Sequence, residues 1–448
     1  MFIACSNLIA RNPAGHAQGL AVADVDGDGR DEILVAGQPN RVLKWDGHGL
    51  ADMADPVLAD PERRAVAIAC ADLDGDGREE VYVLNGEPAT GAAPAADRLF
   101  AWFGSRWIDL CALPENLGAA NRDGGRALAV LDRSGEGRYG VLVAGREGAL
   151  RLYELDRRGR LHDMAEEAGL DVPVAATCLL AAPLFGEAPD VVVGGTGPNL
   201  LFRNLGDGGF EEIGGSHGVA DPGFAARAAA LLDSDGDGLL DLVVANGDGP
   251  HRLFQRRAGG GFADIAPPEL AEPGRVRTVI AADFDNDGHE ELLVTVQGGP
   301  NRLFAWRDER WTRIDPGDAA APHGTAAVVA DLDGDGQLEL LLGPGGAGPH
   351  PLSLFLAEPR GHHWLRVRPL TRMGAPARGA VVRLTAGGRT QIRVIDGGGT
   401  FCQREPVAHF GLGAATRVER LEVRWPDGAV VRIDQPQTCR MLTLRHPG

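Results

Sequence analysis

The chain alternates short apolar runs with turn-rich polar segments at a nearly fixed spacing. Runs of small apolar residues open each cycle: Leu20-Ala21-Val22-Ala23, Ala67-Ile68-Ala69-Cys70, Ala228-Ala229-Ala230-Leu231 and Ala326-Ala327-Val328-Val329. An acidic loop follows, and then a β-branched run such as Glu32-Ile33-Leu34-Val35, Asp190-Val191-Val192-Val193 or Asp241-Leu242-Val243-Val244. A third segment alternates polar and apolar positions (41–45, 98–102 and 301–306), and a fourth is short and led by Leu or an aromatic (50–53, 107–110 and 262–265). Short runs of this kind, bounded by Gly and Pro, predict strands rather than helices.

The acidic loop recurs intact from Asp24, Asp72, Asp233, Asp283 and Asp331. A weakened copy starts at Asp132, and another keeps only its ninth residue, Asp190, which puts its first position at Ala182. Successive starts lie 48, 60, 50, 51, 50 and 48 residues apart. Seven units of four short strands at such a period predict an all-β fold, a seven-bladed β-propeller over residues 1–360. The Ala-rich first strand suits the crowded innermost ring. Residues 2–5 read as a fourth strand without a blade of its own, since Phe2 precedes Asp24 by the same 22 residues that separate Leu50 from Asp72. The last repeat has a third strand, 351–356, but no fourth. The N-terminal strand is therefore expected to complete it and leave few unpaired edges.

Acids at loop positions 1, 3, 5 and 9, with glycine at position 6, converge oxygens on one point, as a hard cation requires. Each intact loop has the position-7 carbonyl as its fifth expected ligand. The predicted sets are Asp24, Asp26, Asp28, Arg30 and Glu32; Asp72, Asp74, Asp76, Arg78 and Glu80; Asp233, Asp235, Asp237, Leu239 and Asp241; Asp283, Asp285, Asp287, His289 and Glu291; and Asp331, Asp333, Asp335, Gln337 and Glu339. Position 12 is Val35, Val83, Val244, Val294 or Leu342, inside a strand, so these are not EF-hands, which need a Glu there between helices. Five structural Ca²⁺ sites are expected, because crowded carboxylates repel without a cation. The two eroded blades are expected to be metal-free.

Residues 361–448 alternate apolar and polar positions along 364–368, 380–384, 390–394, 421–425 and 441–445, which predicts a small sandwich or barrel. They hold 14 Arg against 6 acids, a charge of +8, and the preceding 360 residues carry −27, within a total of −19. Opposite charge predicts that the tail docks on the propeller. So acidic a body is a poor nucleic-acid partner. No apolar run approaches the ~20 residues of a membrane helix. The start has neither a basic region nor a long apolar stretch, which suggests a cytosolic protein, or a secreted one if the chain has been shortened. Lys44 is the only lysine, a bias we attribute to a high-GC bacterial genome. The six cysteines lack metal or redox spacing and read as small buried hydrophobes.

The repeats resemble the FG-GAP/VCBS family of integrin-type propellers. The tail resembles the ASPIC/UnbV domain through Gly379-Ala380-Val381-Val382-Arg383-Leu384, Gly387-Gly388-Arg389-Thr390-Gln391, His409-Phe410-Gly411-Leu412-Gly413 and Val423-Arg424-Trp425-Pro426-Asp427-Gly428. Together they resemble a bacterial homologue of the cartilage acidic protein family. Two functions follow from the resemblance. One is a cofactor-independent cyclase or C–C bond-forming enzyme of natural-product biosynthesis, acting on a small molecule in a pocket between propeller and tail. Its candidate residues are Arg393, Arg404, Glu405, His409 and Asp427, although no triad, P-loop, dinucleotide or zinc-protease motif is present and no organic cofactor is implied. The other is a calcium-dependent module that binds protein or glycan without catalysis.

Overall fold

The computed structural model describes residues 1–86, 95–145, 148–321, 324–344 and 349–448. Seven four-stranded antiparallel sheets follow one another along the chain. Blade one, for example, runs Gly19–Ala23, Glu32–Ala36, Arg41–Trp45 and Leu50–Asp52. In blade seven the chain supplies Gly324–Ala330, Glu339–Pro344 and Ser353–Ala357, and the fourth strand is Phe2–Ala4 from the N-terminus. Phe2, Ile3 and Ala4 pair with Ala357, Leu356 and Phe355, and the Phe2 ring meets Phe284 edge-on at 4.9 Å.

Seven apolar cores lie between consecutive blades. The one joining blade seven to blade one, with Val328, Leu341 and Leu354 against Leu20, Val22 and Ile33, closes the ring. Inner strands such as Ala65–Ala71 are buried along their whole length because neighbouring sheets converge there, leaving room only for small residues.

The second eroded repeat departs from expectation. Ala182 is not a loop position but the last residue of its inner strand, paired with Asp190, so that loop is one residue shorter than its counterparts. Four single-turn helices (Pro56–Ala59, Ala165–Ala168, Gly214–His217 and Pro268–Ala271) follow outer strands, where only turns were expected. Of the cysteines, Cys5, Cys70, Cys111 and Cys178 are buried as expected, whereas Cys402 is half-buried and Cys439 is exposed. Among the described residues no helix is long and apolar enough to cross a membrane.

The tail forms two sheets around its own core, centred on Leu365, Val382, Phe410, Leu421 and Trp425. One sheet has three strands, Ala408–Gly413, His363–Leu370 and Met441–Arg445; the other has four, Arg389–Val394, Val381–Ala386, Val418–Arg424 and Val430–Asp434. A two-residue strand, Cys402–Gln403, leaves the tail and pairs in parallel with Leu20 and Ala21 of blade one.

Candidate metal centres and the domain junction

Each intact loop is wound by its own carboxylates. The position-1 aspartate accepts from the amides at positions 4 and 6: Gly27 and Gly29 to Asp24 at 2.7 and 2.8 Å, Gly75 and Gly77 to Asp72 at 2.7 and 3.0 Å. Asp233 and Asp331 repeat both bonds, and Asp283 takes Gly288 at 2.9 Å. The backbone can turn there because positions 4 and 6 have positive φ, as at Gly236 (78°) and Gly238 (82°). The position-9 acid accepts from the amide at position 2, as Glu80 does from Leu73 at 2.7 Å and Glu291 from Phe284 at 3.0 Å. Position 7 is held by its amide: Arg30, Arg78, Leu239, His289 and Gln337 donate to Asp28, Asp76, Asp237, Asp287 and Asp335 at 2.7–2.9 Å.

Carboxylate oxygens converge within 4.8 Å in all five loops: Asp24, Asp26 and Glu32; Asp72, Asp74 and Glu80; Asp233, Asp235 and Asp237; Asp283, Asp285 and Asp287; Asp331, Asp333 and Glu339. The remaining predicted acids, Asp28, Asp76, Asp241, Glu291 and Asp335, belong to the same loops but lie outside these groups. Asp241 instead accepts from Ser234 and from the Arg256 amide. Burial pushes Glu80 up to about 9, with Asp74 adding to it, and pushes Asp72 and Asp233 up to about 7 and 6. Glu291 and Glu339 are raised well above the carboxylate range by burial, with neighbouring carboxylates adding to the rise. Asp283 Oδ1 is buried without a hydrogen-bond partner. An all-oxygen donor set that repels itself and leaves a buried lone pair aimed inward fits a hard divalent cation. In two loops a cationic side chain from the third strand lies over the carboxylates. Lys44 Nζ reaches Asp28 and Glu32 at 2.8 and 2.9 Å, and Arg307 reaches Asp285 at 2.8 Å.

The eroded loops are held differently. Asp132 keeps the position-1 bonds, from Gly135 at 2.8 Å and Gly137 at 2.6 Å, while Arg133 pairs with Glu154. Asp190 accepts from the amides of Leu184, Phe185 and Asn204, each at 2.8 Å, so backbone donors satisfy it.

The tail sits on the face formed by these loops. Position 8, which the sequence reading passed over, makes much of the contact. Its side chain points away from position 9 and toward the tail, as alternation in a strand requires. Asp31 pairs with Arg368, Glu79 with Arg378 at 3.0 Å and Glu290 with Arg393 at 3.4 Å; Tyr139 donates to the Pro376 carbonyl at 3.1 Å. Arg366 bridges Asp331 and Glu405. A tail amide, Gly411, donates to the metal-loop carboxylate of Asp283 at 3.0 Å. The Trp364 indole covers Gly336 so closely that a Cβ there would lie 1.8 Å from the ring.

From this platform residues 396–405 enter the propeller's axial channel. Gly397 donates to Ala181 O and accepts from Val130, both at 2.9 Å, and Thr400 donates to Leu179 O at 3.1 Å. Gln403 exchanges bonds of 2.7 and 3.0 Å with the Cys70 backbone, and Arg404 donates to Ala281 O at 2.7 Å. The segment thus touches the inner strands of blades one to four, six and seven, the last through the Ala327 amide and Cys402 Sγ.

This insertion corrects the expected substrate pocket. Among the described residues the junction keeps a cavity of about 50 Å³ beside Arg393, Arg404, Glu405 and His409. Small-molecule sites run to ~300–1,000 Å³, and this one has room for little more than water. Arg393 and His409 join the domains, Arg393 pairing with Glu290 and His409 Nε2 meeting Asn286 Oδ1 at 2.6 Å, while Arg404 pairs with Asp396 and Glu405 with Arg366 within the tail. Burial pushes Glu405 up to about 7 and drives His409 well below its ordinary value, consistent with a neutral imidazole bonded through Nε2 alone. Asp427 lies apart, in a turn with Arg372 and His446 at 2.8 and 2.9 Å.

Comparison with known proteins bears on this two-part build. FG-GAP-like repeats match residues 24–83, 187–244 and 233–294, and the ASPIC and UnbV family matches residues 371–448. Cartilage acidic protein 1 of Mus musculus is 40% identical over 488 aligned residues, covering 96% of this chain and 74% of that protein. The Homo sapiens protein is 40% identical, covering 96% and 73%. Among solved structures, BBS1N in complex with ARL6DN is similar at 13% identity with a TM-score of 0.49, covering 80% of this chain and 96% of that one. The Dos1 propeller is similar at 13% identity and a TM-score of 0.42, covering 64% and 68%. A ring of FG-GAP-like repeats capped by an ASPIC and UnbV domain, this chain belongs to the cartilage acidic protein family.

Proposed function

We propose that the chain is a calcium-stapled, non-catalytic binding module that holds a protein or glycan on the propeller face opposite the tail. The filled junction carries the reading, because it leaves the catalytic candidates in structural pairs and turns the ligand surface to the other side. Acidic loops join first to second strands, so turns joining second to third strands lie on the opposite face. There a groove of about 910 Å³ runs between residues 10–17, the 37–41 turn of blade one and Pro344, His350 and Leu352 of blade seven. Its size is that of a ligand site. Calcium suits the loops because it accepts irregular oxygen sets with water completing the shell, and FG-GAP-like repeats commonly hold it. The residues that would hold it are the five convergent sets. The ion's role is to cancel carboxylate repulsion beneath the tail.

The test is a glycan and protein array read in calcium, with Ala14→Trp filling the groove and Asp427→Asn altering the tail. Binding lost in A14W and kept in D427N is expected. Binding kept in A14W, or a turnover lost in D427N, refutes the reading. Calcium removal should lower the melting temperature independently of which ligand binds.

A further inference from the structure

The inner strands carry a second feature on the open face, and it does not depend on what fills the groove. In six blades the first and second strands slip register at the second residue of the inner strand; in blades three, five and six that residue is Arg126, Arg227 or Arg277. A bulge re-aims its side chain out of the sheet's regular alternation. Because inner strands converge on the axis, these positions surround one mouth of the channel, and Arg126 and Arg277 line the same cavity there.

The tail has closed that channel from the other side. Its tip, Phe401, is bonded to blade one through its carbonyl, which accepts from Leu20 at 3.0 Å. The mouth is therefore a blind well. It comprises two adjoining cavities of about 340 and 100 Å³ that share Arg277, Gln18 and Phe401. Arg126 lines the larger, and Thr325 and Gln297 line the smaller.

We propose that this well is a binding site for a tetrahedral oxyanion, a phosphate or sulfate ester, held by Arg126 and Arg277 above Phe401. Among the described residues no carboxylate lines either cavity. Arg277 makes one neutral bond, to Gln297 Oε1 at 3.3 Å. Burial lowers its affinity for the proton, and Arg227, Arg126 and Arg275 lower it further, so the cations face one another uncompensated. Planar guanidinium forks match oxyanion geometry, and an anion there would replace mutual repulsion with charge-assisted hydrogen bonds. Phe401, Val66 and the side-chain-free Gly124 and Gly125 supply the apolar wall for the body of an ester.

Titration calorimetry on the whole chain in excess calcium, at fixed ionic strength, tests this. The probes are N-acetylglucosamine 6-sulfate and glucose 6-phosphate, each against its unesterified sugar. Saturable binding of an ester and not its parent is expected, weakened about tenfold or more in Arg277→Gln, since a charge-assisted pair is lost. Arg432→Gln, an exposed tail residue paired with Glu422, should leave affinity unchanged. Which ester binds more tightly assigns the natural group. In ester-free buffer R277Q should melt no lower than the parent, because the repulsion it removes offsets the single neutral bond to Gln297. No saturable binding by the parent chain, equal binding by R277Q, or a lower ester-free melting point in R277Q would each overturn the proposal.

Discussion

Substituting Gly397 by alanine tests whether the tail segment truly locks the ring. A Cβ at Gly397 would lie 1.7 Å from the Val130 carbonyl oxygen and 3.3 Å from the Ala181 Cβ. The first contact is with backbone of a buried inner strand, which cannot swing aside, so the inserted segment must withdraw. Four backbone bonds depend on its position: Gly397 to Ala181 O, Val130 to Gly397 O, Thr400 to Leu179 O and Leu128 to Thr400 O, at 2.9, 2.9, 3.1 and 3.3 Å. At roughly 1 kcal/mol net for each bond, the loss is about 4 kcal/mol, and more if buried donors stay unsatisfied. Spread over a chain of this length, that lowers the melting temperature by about 4–5 °C. The comparison is Gly186→Ala, whose Cβ meets nothing within 4 Å. Scanning fluorimetry in excess calcium measures the shift, and hydrogen exchange over 396–405 measures whether the inserted amides lose protection. If G397A and G186A melt together with the same protection, the segment does not hold the ring and the reasoning fails.

Three other outcomes are expected. Deleting residues 1–9 removes the fourth strand of blade seven and the Phe2–Phe284 contact, and should sharply lower the melting temperature; an unchanged curve would show that the ring closes without it. Arg378→Ala leaves Glu79 unpaired at a side-chain exposure of 2%, which should cost about 3–5 kcal/mol in urea unfolding, while Arg378→Met with Glu79→Leu recovers most of it. Asp97 accepts from Asn85, Asn121 and Tyr82, yet burial pushes its pKa up to about 7, so the folded state binds its proton more tightly than the unfolded chain does. Stability from that proton is present below about pH 4 and is lost as pH rises to 7. The destabilisation caused by Asp97→Asn should therefore shrink between pH 4 and 8; a constant difference would refute it.

The blades and their loops were legible because they repeat. A carboxylate at position 1 or 9 recurs with fixed spacing, and seven small-residue strands leave one architecture. The junction was not legible, for physical reasons that differ by residue. Position 8 carries Asp31, Glu79, Tyr139 or Glu290, types with no common chemistry; only strand alternation marks it as facing away from the ion. The segment Asp396-Gly397-Gly398-Gly399-Thr400 has no periodicity and reads as a turn. Its glycines make sense only beside the Ala-rich inner strands, since both sides of a backbone-to-backbone contact must be small. Arg404, Glu405 and His409 were catalytic candidates because acid, base and cation lie close together in the sequence. Burial between two domains gives the same residue types a structural use.

These observations bear on why a propeller would keep five acidic loops on one face. The loops place self-repelling carboxylates directly beneath the tail, and tail groups touch them: Arg366 reaches Asp331 at 2.9 Å, and the Gly411 amide reaches Asp283 at 3.0 Å. A cation in each loop would neutralise charge that the arginines answer only in part, so metal binding and tail docking draw on the same carboxylates. The two should be coupled, and coupling is reciprocal. Calcium titrated into Arg366→Met should therefore bind with altered affinity at the Asp331 loop and unaltered affinity at the Asp72 loop, whose own tail contact is with Glu79. Calorimetry resolving the two classes checks this. Equal affinities in the parent and R366M would separate the metal loops from the tail and return them to the role of independent hairpin staples.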